Sequence, residues 1–171
     1  MYKIAYDIIK NSTLFSFPVL RYIRNYVYSK HLNTTKIYVD QFVRIQQLHK
    51  NNESSYEIGE EMKIGAFSLI DLSGNVKIGS RVTISDGVKI FTHYHPIDGE
   101  VNWRQNPIEF TDIEVGDDVW IGANAIIIES VKKIGTGAII GAGTTVKNDI
   151  PAMSVVAGVP AHVVRMRKIT V

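Results

Sequence analysis

The stretch VGDDVWIGANAIIIESVKKIGTGAIIGAGTTV, residues 115–146, repeats one pattern about every six residues. Its repeat is marked by an aliphatic residue, and the same spacing occurs earlier in the chain. The twelve marking residues are Ile58, Ile64, Ile70, Ile78, Ile84, Ile90, Val115, Ile121, Ile127, Ile134, Ile140 and Val146. Glycine follows directly at seven of these twelve positions, and a small or β-branched residue comes four positions later at ten. A period of six fits neither an α-helix nor a simple alternating strand.

Hexapeptide repetition is typical of a parallel β-helix, in which three hexads form one triangular coil. Twelve hexads therefore predict an all-β solenoid of about four coils, with the aliphatic residues stacked inside. We expect the glycine beside each aliphatic residue to supply backbone freedom near a corner, where a Cβ would restrict the turn. The small residue should fit where two faces of the prism meet.

The repeat stops after Ile90 and resumes at Val115, so residues 91–114 are predicted to be an inserted loop. Pro96 and Pro107 within it argue against a further coil. A long loop inserted into a regular solenoid is usually functional.

Composition divides the chain near residue 55. Residues 1–50 carry a net charge of +6 and the remainder −4, and all 13 glycines lie at or after Gly59. Apolar residues at helical spacing predict two short amphipathic helices in residues 1–55, which would cap the open first coil. Residues 56–150 are then the β-helix domain, and residues 151–171 are a tail that packs on the prism.

The composition also excludes several classes of protein. Because the 171 residues include no cysteine, disulfide scaffolds, thiolate metal sites and cysteine nucleophiles are excluded. No apolar run approaches the roughly 18 residues of a membrane span, and Lys3, Asp7 and Lys10 interrupt any signal-peptide pattern. We expect a cytoplasmic protein with no nucleic-acid partner. The basic, tyrosine-rich residues 1–30 further predict peripheral contact with the inner face of a membrane.

Five histidines are the candidate bases. His93 and His95 lie where the last hexad before the gap meets the inserted loop, and residues two apart on an extended strand point to the same side. A neutral imidazole, with a pKa near 6.5, accepts a proton from a hydroxyl at neutral pH. His31, His49 and His162 are interpreted as structural residues.

Residues 78–164 resemble the left-handed β-helix acyltransferases, the hexapeptide-repeat group that contains maltose, galactoside and xenobiotic acetyltransferases. The matching motifs are THYHPID (92–98), VGDDVWIGANA (115–125), IGAGTTVKNDIP (140–151) and VVAGVPAHVVR (155–165). The resemblance implies left-handed coiling, acetyl-CoA as co-substrate without a metal, and a homotrimer whose active sites lie between neighbouring prisms.

The resemblance also implies roles for single residues. His95, which precedes proline in the H-P-x-D element, matches the general base that deprotonates an acceptor hydroxyl. The positions expected on the acceptor side are Asp71, His93, Asp98 and Trp120. The positions expected to bind acetyl-CoA are Ala123, through its backbone N–H, and Gly141, Ala142, Lys147, Asn148, Pro160 and Arg165.

We therefore predict an O-acetyltransferase that acts on a sugar hydroxyl, in a small or lipid-linked unit of a capsule, O-antigen or exopolysaccharide. Acetylation of an amino-sugar nitrogen or of an antibiotic hydroxyl is the alternative. A zinc-dependent protein like the gamma-type carbonic anhydrases is a remote one, because an open zinc site needs three protein ligands and only His162 is available as the third. A bare assembly scaffold would not need HPID, VWIG and GAGTTVKND together.

Overall fold

A computed structural model of the protein describes residues 2–10, 12–17 and 19–169. Three parallel sheets form the faces of a triangular prism, and the chain passes through them in turn. Sheet A consists of β1 Tyr38–Val39, β4 Lys63–Ile64, β7 Thr83–Ile84, β12 Trp120–Ile121, β15 Ile139–Ile140, β17 Ser154–Ala157 and the antiparallel β18 His162–Met166. Sheet B consists of β2 Arg44–Gln46, β5 Leu69–Asp71, β8 Lys89–Ile90, β13 Ile126–Ile127 and β16 Thr145–Val146. Sheet C consists of β3 Tyr56–Ile58, β6 Val76–Ile78, β11 Ile113–Val115 and β14 Lys133–Ile134.

The aliphatic positions of the repeat form the core, as the sequence predicts. In sheet B, for example, Ile45, Ile70, Ile90, Ile127 and Val146 are each no more than 1% exposed. The register of the parallel strands pairs Ile45 with Ile70 and Ile70 with Ile90, so each residue stacks on its counterpart one coil away. Burial of such columns is the main source of stability in a solenoid, in which each coil contacts only its neighbours.

The prism is longer than predicted. Within the described residues sheet B has five strands, so there are five coils rather than about four. The first coil begins at Tyr38, inside the predicted cap 1–55, because β1 and β2 already pair with β4 and β5. At the other end β17 pairs with β15, so residues 154–157 of the predicted tail continue sheet A.

The glycines beside the aliphatic residues have a different role from the one predicted. A Cβ on Gly116 would lie 2.6 Å from the backbone nitrogen of Thr136, and one on Gly122 would lie 2.6 Å from that of Ala142. Both glycines therefore permit close contact between successive coils. The left-handed backbone occurs instead three residues after the aliphatic position, for example at Asn124 (φ 57°) and Gly143 (φ 66°).

Two of the three corners are tight. The corner between sheets A and B, which we call the tight corner, has four residues in every coil: 40–43, 65–68, 85–88, 122–125 and 141–144. The corner between sheets B and C, which we call the loop corner, carries the insertions 47–55 and 91–112 and the shorter segment 72–75. Within 91–112 a hairpin forms from β9 His93–Tyr94 and β10 Glu109–Phe110.

Two α-helices cover the first coil, α1 Tyr2–Ile9 and α2 Leu20–His31, joined by a 3-10 turn at Thr13–Ser16. The hydroxyl of Tyr6 donates to the carbonyl of Ile45 at 2.8 Å, and that of Tyr28 donates to the carbonyl of Val43 at 2.5 Å. The predicted pair of amphipathic helices is thus present and contacts the end of the prism. Neither these nor any other described helix is long and apolar enough to cross a bilayer.

Candidate active site

Side chains from three consecutive coils meet at the loop corner. The segments 47–55, 72–75 and 91–112 follow β2, β5 and β8, which are neighbours in sheet B. Residues at corresponding positions of neighbouring coils lie beside each other, separated by the spacing of paired strands, about 4.8 Å. Groups far apart in sequence, such as Asp71 and His93, are thereby brought together. His49, two coils away from His93, reaches the same corner from the insertion 47–55.

Asp71, the last residue of β5, connects the three segments. Its Oδ1 accepts hydrogen bonds from the backbone nitrogen of Ser73 at 2.9 Å, from the Ser73 hydroxyl at 2.6 Å and from the backbone nitrogen of Leu48 at 3.2 Å. Its Oδ2 lies 3.1 Å from the backbone nitrogen of Thr92 and 2.5 Å from Nδ1 of His93. The carboxylate is therefore fully engaged by protein donors.

The charge state of Asp71 follows from these contacts. Burial raises the pKa of its carboxyl, but the hydrogen bonds from Ser73, His93 and the backbone outweigh it and hold the pKa below its usual range. The Asp71 carboxylate faces Nδ1 of His93, which leaves Nε2 of that ring directed away from the carboxylate. The prediction that Asp71 binds the acceptor is wrong: the residue is 0% exposed, and it orients His93 instead.

His93 and His95 lie close together, as their spacing predicts, with ring centroids 5.5 Å apart. The ring of His49 joins them, at 4.5 Å from His93 and 5.0 Å from His95. We call these three residues the histidine cluster. One ring nitrogen of each lies within 4.8 Å of the others, so the cluster could hold a metal ion.

The interpretation of His49 as structural is therefore incomplete, and the expected absence of a third histidine is wrong. The third ring comes from His49, whereas His162 lies on β18 at the end of sheet A. Burial lowers the pKa of His49, and the charges of His93 and His95 lower it further, which favours the neutral ring. The hexapeptide spacing gives no sign that His49 belongs to the site, because His49 lies in an insertion of the first coil.

The 91–112 loop forms one wall of the site. Asn106, which the sequence did not single out, organises it: its Nδ2 donates to the carbonyls of Pro96 at 2.8 Å and Asp98 at 3.1 Å. Asp98 thus helps to order the loop through its backbone carbonyl. The residue as a whole is exposed to solvent. The ring of Trp103 lies edge-on to His95 with centroids 6.4 Å apart, so an indole borders the exposed imidazole.

Trp120, expected on the acceptor side, and Ala123 and Ala142, expected to bind acetyl-CoA, lie on other parts of the prism. Trp120, on the outer face of sheet A, is half exposed, and its Nε1 donates to the hydroxyl of Ser85 at 3.0 Å. Ala123 and Ala142 stack at the tight corner, where the carbonyl of Ala123 accepts from the nitrogen of Gly143 at 2.8 Å. A surface groove beside Ala123 is lined by Ser85 and other residues of sheet A and its corner.

The remaining predicted donor positions are exposed near the last coil. Lys147 and Asn148 follow β16, Pro160 lies in the turn between β17 and β18, and Arg165 lies on β18. Gly141 belongs to the tight corner with Ala142. Within one chain, sheet B separates the tight corner from the loop corner. The structure thus brings the histidines together but leaves Trp120 and the tight-corner donor positions on another part of the prism.

Comparisons with known proteins agree with the fold and with the motifs. A Saccharomyces cerevisiae protein that carries the name acetyltransferase is 38% identical over 128 residues, which cover 74% of this chain and 63% of that protein. The galactoside O-acetyltransferase of Escherichia coli is 39% identical over 90 residues, covering 53% and 43%. A galactoside acetyltransferase solved in complex with coenzyme A has a TM-score of 0.78 and 27% identity, with 96% and 78% coverage. No protein-family model matches the chain.

The chain spans less than two thirds of the length of these two curated relatives. The similarity nevertheless confirms two predictions, the left-handed parallel β-helix and the resemblance to the hexapeptide-repeat acyltransferases. The coenzyme A of the solved neighbour also agrees with acetyl-CoA as the co-substrate.

Proposed function

We propose, from the similarity to hexapeptide-repeat acetyltransferases, that this chain transfers an acetyl group from acetyl-CoA to a sugar hydroxyl. The observation that carries the proposal is His95, an exposed imidazole in the HPID motif that borders a loop wall at the loop corner. An acyl acceptor needs such a base, because a sugar hydroxyl is a weak nucleophile until its proton is removed.

The reaction proceeds in one displacement. His95 takes the proton of the acceptor hydroxyl while the acceptor oxygen attacks the thioester carbonyl carbon. The carbon–sulfur bond then breaks, the new ester leaves, and the thiolate of coenzyme A takes the proton back from His95. Negative charge that develops on the carbonyl oxygen is stabilised by the backbone N–H of Ala123.

His93 positions the acceptor rather than acting as the base. Its Nδ1 is bonded to Asp71, so its Nε2 presents a fixed acceptor beside His95. Trp103 supplies a large apolar ring beside His95, against which the C–H groups of a sugar could pack. Asp98 and Trp120 complete the acceptor side.

We further propose that the enzyme is a homotrimer with active sites between neighbouring prisms. The support is the separation of the two halves of the site: the histidines lie at the loop corner, while Trp120, Ala123 and Ala142 lie on sheet A and the tight corner. A second prism that places its sheet A against the first chain's loop corner would unite them. Lys147, Asn148, Pro160 and Arg165 would then contact the phosphates and adenine of acetyl-CoA.

The acceptor that we propose is a sugar of a surface-polysaccharide unit. The N-terminal helices support an acceptor held at a membrane, because Ile4, Ile8, Phe17 and Val19 are all more than 60% exposed beside a basic segment. We therefore place the protein in the cytoplasm at the inner face of the membrane. Met1, Asn11 and Pro18 of the predicted contact segment 1–30 lie outside the described residues.

The proposal is tested first by the melting temperature with and without acetyl-CoA in metal-free buffer. A ligand at a hundredfold excess over its Kd stabilises the native state by about 2.7 kcal/mol, so a clear upward shift is expected. Transfer to a panel of sugars, amino sugars and hydroxylated antibiotics then distinguishes O- from N-acetylation. His95→Ala should abolish transfer and keep the acetyl-CoA shift; transfer near the wild-type rate in that variant contradicts the mechanism.

A zinc-dependent hydratase is the second candidate, favoured by one observation: His49 completes a set of three histidines. Such an enzyme would be inactive without metal and would hydrate carbon dioxide when loaded. Elemental analysis of the purified protein, followed by a hydration assay with and without chelator, separates it from an acetyltransferase.

A further inference from the structure

We propose that the histidine cluster is a binding site for a divalent transition metal ion, with Zn²⁺ as the reference ion, and that the bound ion switches off acetyl transfer. The binding half of this inference stands on the geometry alone. The inhibitory half rests on the proposed function, because it requires His95 to be the base.

The donor set suits a borderline metal. Three imidazole nitrogens come from His49, His93 and His95, all within 4.8 Å of one another. Neutral imidazole is a ligand for Zn²⁺, Cu²⁺, Ni²⁺ and Co²⁺, whereas Mg²⁺ and Ca²⁺ prefer oxygen. Zinc–nitrogen bonds of about 2.0–2.1 Å in a tetrahedral site place the nitrogens roughly 3.3 Å apart, so the rings need to close by about 1.5 Å at most.

The surroundings already hold the ligands in place. Asp71 Oδ2 lies 2.5 Å from Nδ1 of His93, which is the arrangement of a carboxylate behind a metal-bound histidine and leaves Nε2 directed away from the carboxylate. The backbone nitrogen of His49 donates to the Ser73 hydroxyl at 2.9 Å, and that hydroxyl in turn donates to Asp71. One buried carboxylate therefore fixes two of the three ligands.

Access and stoichiometry also fit an open site. His49 and His93 are partly buried while His95 is exposed, so solvent reaches the cluster from the side of the 91–112 loop. Three protein ligands leave a fourth position for water, as in open zinc sites. No second chain has to contribute a ligand, so one ion per chain is expected.

Metal binding and base catalysis exclude each other at His95. The lone pair that coordinates a metal ion cannot also accept the proton of the acceptor hydroxyl. Metal ions at the cluster should therefore lower the rate of transfer.

The experiment titrates metal-free, full-length protein with ZnCl₂ by calorimetry, and with CoCl₂ by visible absorption, which reports an ordered nitrogen site. We expect one ion per chain, an affinity at least tenfold weaker in His49→Asn, and an unchanged affinity in the matched control His162→Asn. Binding no tighter in the wild type than in His49→Asn overturns the site.

The proposed inhibition is tested by the rate of acetyl transfer with zinc, divided by the rate of EDTA-treated enzyme without zinc. We expect the zinc concentration for half-inhibition to rise at least tenfold in His49→Asn and to stay the same in His162→Asn. Full transfer by zinc-saturated enzyme overturns the inhibition while leaving the site established. Absence of transfer to every acceptor in EDTA counts against the proposed function alone, because the titration measures binding directly.

Discussion

The tight corner and the loop corner are built on the same repeat, yet only the tight corner keeps one length in all five coils. The tight corner spans four residues in all five coils, with a left-handed residue third, such as Phe67, Asn124 or Gly143. The loop corner ranges from the short segment 72–75 to the insertion 91–112. The tight corner determines the path of the backbone, whereas the loop corner tolerates insertion and carries His49, Asp71, His93 and His95. The candidate acid–base residues thus gather at the edge of the prism that accepts insertions.

The largest expected effect comes from replacing residues 95–108 by Asn-Gly. Tyr94 pairs with Glu109, so a two-residue type I′ turn fits the β9–β10 hairpin. We expect loss of all measurable acetyl transfer, since His95 and Trp103 are removed, with the β-helix intact. Activity assays and thermal melts check this. Collapse of the fold would show that the loop corner is structural and would break the comparison.

A smaller effect, on stability alone, is expected from replacing a tightly packed glycine between two coils of the β-helix. In Gly116→Ala the new Cβ would lie 2.6 Å from the backbone nitrogen of Thr136, and such overpacking costs about 1–3 kcal/mol. We expect Tm to fall by several degrees. The control is Gly143→Asn, where no atom lies within 4 Å of the added Cβ and asparagine tolerates the φ of 66°. Equal losses in the two variants would contradict the assigned roles.

The sequence predicted the β-helix better than it predicted the candidate active site. The buried columns and the 91–114 insertion follow from spacing alone. The first coil escaped notice because Asp40, not glycine, follows Val39, and because the insertion 47–55 separates Ile45 from Ile58. His49 was missed for the same reason. The role of Asp71 depends on donors from other coils, which no local pattern reveals.

Asp71→Asn tests the loop corner through the pH dependence of the protein's stability. A carboxyl with a lowered pKa in the folded state stabilises the fold above its unfolded pKa, about 3.9, and that contribution disappears as the pH falls through the lower folded value. At pH 7 we expect the variant to be about 1–3 kcal/mol less stable, because its amide faces donors. Urea unfolding at pH 7 and melts from pH 5 to 2 should show a flatter acid dependence in the variant. Parallel curves would contradict the assignment.

The smallest effect concerns the capped end of the prism. Burial raises the pKa of Tyr6 to about 12, so the neutral hydroxyl is favoured in the folded state. Its contribution is complete below the unfolded pKa of about 10 and is lost as the pH rises through about 12. Tyr6→Phe should lose about 1 kcal/mol at pH 7 and show a weaker alkaline dependence. Tyr22→Phe, at an exposed position, is the control; an equal change there would contradict the prediction.

The antiparallel strand β18 has a consequence for assembly in the cell. A parallel β-helix is a stack of strands whose last coil presents the same template as every coil before it, and an open template invites further copies to add end to end, as in cross-β fibrils. Because β18 runs against β17, it ends sheet A with a strand that does not continue the coil. The polymerisation hazard at this edge is therefore countered by β18, and loss of residues 162–166 would expose the edge of β17.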